Sequence, residues 1–340
     1  MSVQQEDDSP RITNPEIIVP KEPNKPSRSS VDDPRRHKEE LQRWSQRMRR
    51  KTSSYIRQQQ QTKQQPQPDP PVTAAALIRL AFHDAIASPH QPNNGSIQYE
   101  LAWPENRGLA QPLALVQEWY HQSRPPPSSS LADAIALVAA QALQDLGGPV
   151  INIRLGRTDA TRADAASLAQ PLQITDNPRS RVTQTLPEAS LDADGLVAYF
   201  ESLHGFARDE WIALCGIHGL GRHVSLLNMP RECLRNLTRT CLEDAPTLLP
   251  FVTAGEGQFS NAYFRALLEW NDRNITLGQV AFIPTDVVLV VNADLYPYVQ
   301  QFANDPVLYR KTFQRAFQKL LEGDDTISEE VTRLLTAERY

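Results

Sequence analysis

The sequence predicts a mostly α fold of about ten helices, and three observations carry that prediction. Apolar residues return at helical spacing in one segment after another. Strand signals are few and short. No internal repeat, GxxxxGK loop or GxGxxG after a strand is present, so solenoid and nucleotide-binding architectures have no support. The predicted helices are 74–88, 110–121, 131–146, 193–204, 208–217, 260–270, 286–302 and 306–322, while 150–154 and 280–283 read as strands.

Residues 1–34 are rich in Pro, Ser, Asp and Asn, and the first glycine of the chain is Gly95. So little apolar surface cannot offset the entropy of ordering, and a disordered tail is expected. Residues 35–57 carry Leu41, Trp44, Met48 and Tyr55 at helical spacing on a very basic background, which predicts an amphipathic helix docked on the core. The same helix is a candidate surface for a protein partner. Residues 58–71, with QQQQ and PQPDPP, read as a Gln/Pro-rich linker. A single domain follows over 72–322, and 323–340 forms a C-terminal tail.

Composition excludes several classes. Of 340 residues, 40% are hydrophobic and 22% charged, which is ordinary for a globular chain. A net charge of −5 and a pI near 5.9 argue against nucleic acid as a partner. The longest candidate for a membrane span, 287–291, is far too short. The N-terminus lacks a secretory pattern, and Glu6, Asp7 and Asp8 are unlike a transit peptide. A soluble intracellular protein is expected, in the cytosol or in an organelle such as a plastid or mitochondrion. Three cysteines make no disulfide framework: Cys215 falls in an apolar run, and Cys233 and Cys241 could pair only under oxidation.

Two histidines stand out. Arg79 and His83, in Arg79-Leu80-Ala81-Phe82-His83-Asp84, are one helical turn apart on one face, with Phe82 beside them. Leu77, Ile78, Leu80 and Ala81 make that helix apolar nearly all round, so a buried Arg and His would be costly without a role. A neutral imidazole beside a fixed guanidinium suits peroxide cleavage, which needs a proton moved between two oxygens and a departing negative charge stabilised. His218, in Leu214-Cys215-Gly216-Ile217-His218-Gly219, lies where an apolar helix ends at glycines and releases its carbonyls. Taken alone, either histidine is more often an ordinary core residue.

Context separates the two readings. The runs Asn93-Asn94-Gly95-Ser96-Ile97-Gln98-Tyr99-Glu100 and Trp103-Pro104-Glu105-Asn106-Arg107-Gly108-Leu109 resemble the plant-type haem peroxidase superfamily, in particular its ascorbate-peroxidase-like class and the ascorbate-peroxidase-related proteins. There a run like NGSI.YEL..PEN.GL follows a distal LRL.FHDA helix. The segment 211–221 is similar to the proximal element VALSGAHTIG, and Ile283-Pro284-Thr285-Asp286 looks like the (L)P(S/T)D of the family. Arg154-Leu155-Gly156-Arg157-Thr158-Asp159, Leu186-Pro187-Glu188-Ala189 and the last helix also match in order, so the likeness runs over about residues 75–321.

The resemblance implies a haem-dependent peroxidase fold, with haem b between a distal and a proximal helical half. His83 would be the distal base, Arg79 its cationic partner and Asn106 the acceptor that raises the basicity of His83. His218 would be the axial iron ligand and Asp286 the acceptor behind it; Asp286 also fits an N-cap. Phe82 stands where some members have the distal tryptophan. Phe251, in Leu249-Pro250-Phe251, stands where cytochrome c peroxidase has a proximal tryptophan. Arg222 and His223 could face a haem propionate, or merely water.

Departures narrow the substrate. Leu227 replaces the arginine that holds ascorbate, and Thr73 replaces a cysteine of the same enzymes. Val72 and Ala76 occupy the positions of manganese ligands. Asn94 and Gly219 replace calcium ligands, so calcium is not expected. The expected partners are hydrogen peroxide and a small reductant, phenolic or ascorbate-like. The rival readings are a non-enzymatic haem-binding peroxide sensor and an interaction scaffold acting through residues 35–57.

Overall fold

The computed structural model describes residues 34–62, 72–87, 93–162, 187, 191–224, 248–252, 254–271 and 280–322. Among them are eleven α-helices and one two-stranded ribbon. The parts expected at 1–33, 63–71 and 323–340 lie outside the described residues, as do Leu227, Cys233, Cys241, and Leu186, Glu188 and Ala189.

Helix α1, Pro34–Thr62, buries Leu41, Trp44, Met48 and Ile56 at helical spacing. It lies on α4 (Ala110–Gln122) and α5 (Leu131–Asp145). The Trp44 indole N–H donates to Ser123 Oγ at 2.7 Å, which satisfies the one polar group of a fully buried ring. The apolar face on which an interaction module would rely is therefore used within the chain. The helix also runs past the expected stop at Arg57. Gln58–Gln61 are good helix formers and the next proline comes only at Pro66, so residues 58–62, expected in the linker, are helical.

Helix α2, Ala74–Ile86, is capped by Thr73, whose hydroxyl accepts from Ala76 N at 3.1 Å. It packs along α5, and Leu77, Ile78, Leu80, Ala81, Ala85 and Ile86 are buried. A short helix α3, Ile97–Glu100, and a 3-10 turn, Pro104–Asn106, fold back beside it. A buried ion pair, Arg157 to Asp133 at 3.0 Å, ties the 150s to α5.

The second half begins with α6, Ala193–Val197, which runs into a π-helical turn at Ala198–Leu203. Helix α7, Arg208–Cys215, tightens into a 3-10 turn, Gly216–Leu220. Helices α8 (Ala262–Asn271), α9 (Pro284–Val291) and α10 (Tyr296–Asn304) pack on one another. Helix α11, Pro306–Glu322, packs on α7, α10 and α2, and so joins the halves.

Two expectations are corrected. The helix expected at 286–302 is two helices. Asn292 leaves helical geometry, its side chain accepts from Asp294 N and Leu295 N, and Pro297 falls in the first turn of α10. The strands expected at 150–154 and 280–283 are irregular, because their backbone groups meet other partners: Val150 O accepts from Gln314 Nε2 at 2.8 Å, and Ala281 N donates to Pro250 O at 3.0 Å. The ribbon present is β1, Arg222–Val224, antiparallel to β2, Leu248–Pro250, with Arg222 opposite Pro250. No described helix is long and apolar enough to cross a membrane.

Candidate active site

The distal cluster is built by α2 and by the loop that returns to it. Arg79 Nη1 donates to Arg107 O at 2.8 Å and Nη2 to Glu105 O at 2.7 Å. Between those residues, Asn106 sets its Oδ1 2.8 Å from His83 Nδ1. Gly108, at φ 81°, supplies the left-handed turn that lets the loop close against Arg79. Arg79 and His83 are thus gripped by three consecutive residues, 105–107.

The bond pattern fixes the tautomer. Glu100 O can only accept, and Asn106 Nδ2 donates to it at 3.0 Å, so Asn106 Oδ1 must face His83. His83 Nδ1 then carries the proton and Nε2 keeps its lone pair. Burial first, and then the Arg79 charge, push the His83 imidazole down to about 3, against the opposing effect of the Asn106 bond. His83 is a neutral base over the whole neutral range. Arg79 presents surface to solvent yet burial lowers it to about 10, the combination expected of a side chain lining a recess, and it stays charged at neutral pH. The half-buried Phe82 ring lies edge-on to His83 at 6.3 Å.

Beneath this pair sit two buried carboxyls. Asp84 accepts from Gly95 N at 3.0 Å and Ile97 N at 3.1 Å, and burial raises it to about 6. Glu100 is fully buried, and among the described residues neither of its carboxyl oxygens has a hydrogen bond. Burial lifts it to about 7; the nearby Ser96 hydroxyl offsets part of this without reaching hydrogen-bond geometry.

The proximal cluster gathers around His218 in the 3-10 turn after α7. His218 Nδ1 lies 2.8 Å from Asp286 Oδ1. Asp286 is 1% exposed and sits in the first turn of α9, where its Oδ2 accepts from Ile283 N at 2.9 Å. Ile283, not Asp286, occupies the N-cap position; the carboxylate reaches back to the cap from inside the helix. Phe251 stacks on His218 at 4.8 Å and 27°. Tyr263 stands edge-on to His218 at 5.8 Å and donates its hydroxyl to Asp286 Oδ1 at 2.5 Å. His218 Nε2 has no hydrogen bond among the described residues.

Arg79, Phe82, His83 and Asn106 therefore form one cluster, and His218, Phe251 and Asp286 another. Arg222 makes no hydrogen bond to either cluster among the described residues. Its guanidinium pairs with Glu256, with Nη2 at 2.9 Å from Oε2, and Nη1 reaches Leu248 O at 3.3 Å. Tyr263 and Glu100 are the members that sequence reasoning missed. A tyrosine in an apolar helical stripe gives only the weak signal that a buried phenol needs an acceptor.

Comparison with known proteins gives a consistent result. A family model described as Peroxidase matches residues 56–305. The chain is 29% identical over 256 residues to the "Putative L-ascorbate peroxidase 6" of Arabidopsis thaliana, a match covering 74% of this chain and 64% of that protein, just under two thirds of its length. It is 28% identical over 270 residues to a "Putative heme-binding peroxidase" of Gibberella zeae, covering 72% and 70%. It is also 28% identical over 266 residues to "Cytochrome c peroxidase, mitochondrial" of Candida albicans, covering 73% and 62%. With three quarters of its length inside the family model, the chain belongs to the peroxidase family.

Proposed function

We propose that the chain is a haem peroxidase that reduces hydrogen peroxide and oxidises a small donor in one-electron steps. The observation that carries this reading is a pair of imidazoles, each with Nδ1 tied to a side-chain oxygen and Nε2 left available, one beside a guanidinium and the other backed by a carboxylate. The donor set fits a porphyrin-bound metal. Among the described residues no group of three or more His, Cys, Asp or Glu side chains can hold a metal ion, and one imidazole serves when the other ligands arrive with the metal. His218 would hold the iron of haem b through Nε2, with Phe251 fixing the plane of the ring and Asp286 its tautomer. Arg222 would reach a propionate only by leaving Glu256. The reading includes no calcium, since Asp84 directs both oxygens at backbone N–H groups.

Bound haem would supply the redox centre that gives two electrons to the peroxide and is restored by one electron from each of two donor molecules. The protein moves the protons. His83 Nε2 takes the proton from the near peroxide oxygen and returns it to the far one, which leaves as water. Arg79, held by two carbonyls, stabilises the charge that builds on the departing oxygen, and it needs no rearrangement to do so. Phe251 is hard to oxidise, so electrons come from a donor, phenolic or ascorbate-like, more readily than from a ring under His218.

His83→Leu tests the role of the base. The variant should bind haem and react with peroxide about 10²- to 10⁴-fold more slowly in stopped-flow absorbance. A parental rate overturns the assignment. Because the His83 pKa is about 3, the parental rate constant should hold level from pH 7 to about pH 4 and fall only as the imidazole protonates below that.

A further inference from the structure

We infer that Tyr263 is a positioning residue that sets how strongly Asp286 pulls on His218, and through His218 the reduction potential of the bound iron. The inference rests on the haem reading and adds to it a member of the site. Its basis is that two donors share one oxygen: His218 Nδ1 at 2.8 Å and Tyr263 Oη at 2.5 Å both meet Asp286 Oδ1, while Oδ2 is taken by Ile283 N at 2.9 Å. The carboxylate is 1% exposed, so the two donors compete for it away from bulk solvent.

The phenol is the donor in its bond. Burial and the neighbouring Asp286 charge hold the Tyr263 hydroxyl well above its ordinary pKa, so it keeps its proton. Each donor draws off part of the negative charge of the carboxylate. With Tyr263 in place, Asp286 draws less on the Nδ1 proton of His218, and the ring stays closer to a neutral imidazole. Without it, the ring gains imidazolate character, donates more strongly and favours the ferric state.

The local structure provides for this contact. Tyr263 is on α8, which can lie against the proximal turn because residue 219 is glycine: a Cβ there would stand 3.3 Å from Tyr263 Cβ. The ring is fully buried, with Phe264 at 5.0 Å and Phe282 at 6.1 Å. A phenylalanine would keep those contacts. What it would lose is the single bond to Asp286, which makes the hydroxyl separable from the packing.

The test is the midpoint potential of the haem-reconstituted protein by spectroelectrochemistry, together with the iron–histidine stretching frequency of the ferrous form. Tyr263→Phe should make reduction about tenfold less favourable, 59 mV lower for one electron, and raise the stretching frequency. In an Asp286→Asn background the same substitution should change neither. An unchanged potential and frequency in Tyr263→Phe, with haem bound through His218, overturns the role of Tyr263 and leaves the peroxidase reading standing. A parent protein whose haem is not ligated by His218 overturns the peroxidase reading itself, and the inference with it.

Discussion

His83 and Glu100 are joined through Asn106, and burial acts on them in opposite senses. It keeps the imidazole neutral and makes the carboxylate hard to ionise. The folded-state pKa of Glu100, about 7, is raised above its ordinary value of 4.5. The neutral form is therefore favoured on folding below pH 4.5, and that stability is lost as pH rises through about 7. Glu100→Gln, which removes the charge and keeps the shape, should be more stable than the parent at pH 8, by about 1–3 kcal/mol, and no more stable at pH 4. Denaturant titrations at the two pH values check this; equal differences at both would refute it. The site residues differ in how well sequence alone reveals them. Arg79 and His83 stand out because ionisable groups in an apolar helix are expensive, whereas Asp286 is marked only by the resemblance of Ile283-Pro284-Thr285-Asp286 to a family segment. Tyr263 is hidden because a tyrosine in a core stripe is unremarkable until its acceptor is seen. The pairing of Arg222 depends on Glu256, 34 residues away.

At the scale of elements, α1 decides whether the N-terminal region is an appendage or part of the domain. The family match begins at residue 56, so most of α1 precedes it, yet Leu41, Trp44 and Met48 are buried in the core with α5. Trp44→Ala should cost about 3–5 kcal/mol by leaving a cavity and removing the indole hydrogen bond to Ser123 Oγ. A loss below about 1 kcal/mol in chemical denaturation would show that α1 is only loosely attached. Helical spacing revealed this element and its buried face, but not its end, because a glutamine run extends a helix without any apolar signal. The break at Asn292 was equally hidden: the apolar run 287–291 continues the helical pattern up to a turn that only the Asn292 side chain enforces. The short β-branched runs at 150–154 and 280–283 looked like strands because extended, half-buried backbone has the same composition whether or not a neighbouring strand pairs with it.

At the scale of the molecule, the two halves carry complementary parts. The first half holds an imidazole and a guanidinium on α2, the second a carboxylate-backed imidazole after α7, and α11 joins them by packing on both helices. The joint is polar as well as apolar: Asn93 Nδ2 donates to Leu320 O at 2.7 Å, and the buried Arg157 reaches Leu321 O. The helical class and the order of the two sites were legible in sequence, because each is encoded locally. How the halves meet was not, because it rests on single hydrogen bonds between residues more than 160 positions apart. As a haem peroxidase, the assembled pair would hold haem and cleave peroxide. The optical spectrum of the haem-reconstituted protein, before and after one equivalent of hydrogen peroxide and then with a phenolic donor, tests this. A protein-bound Soret band should change promptly with peroxide and return with the donor; a free-haem spectrum, or a bound haem indifferent to peroxide, would contradict the peroxidase reading.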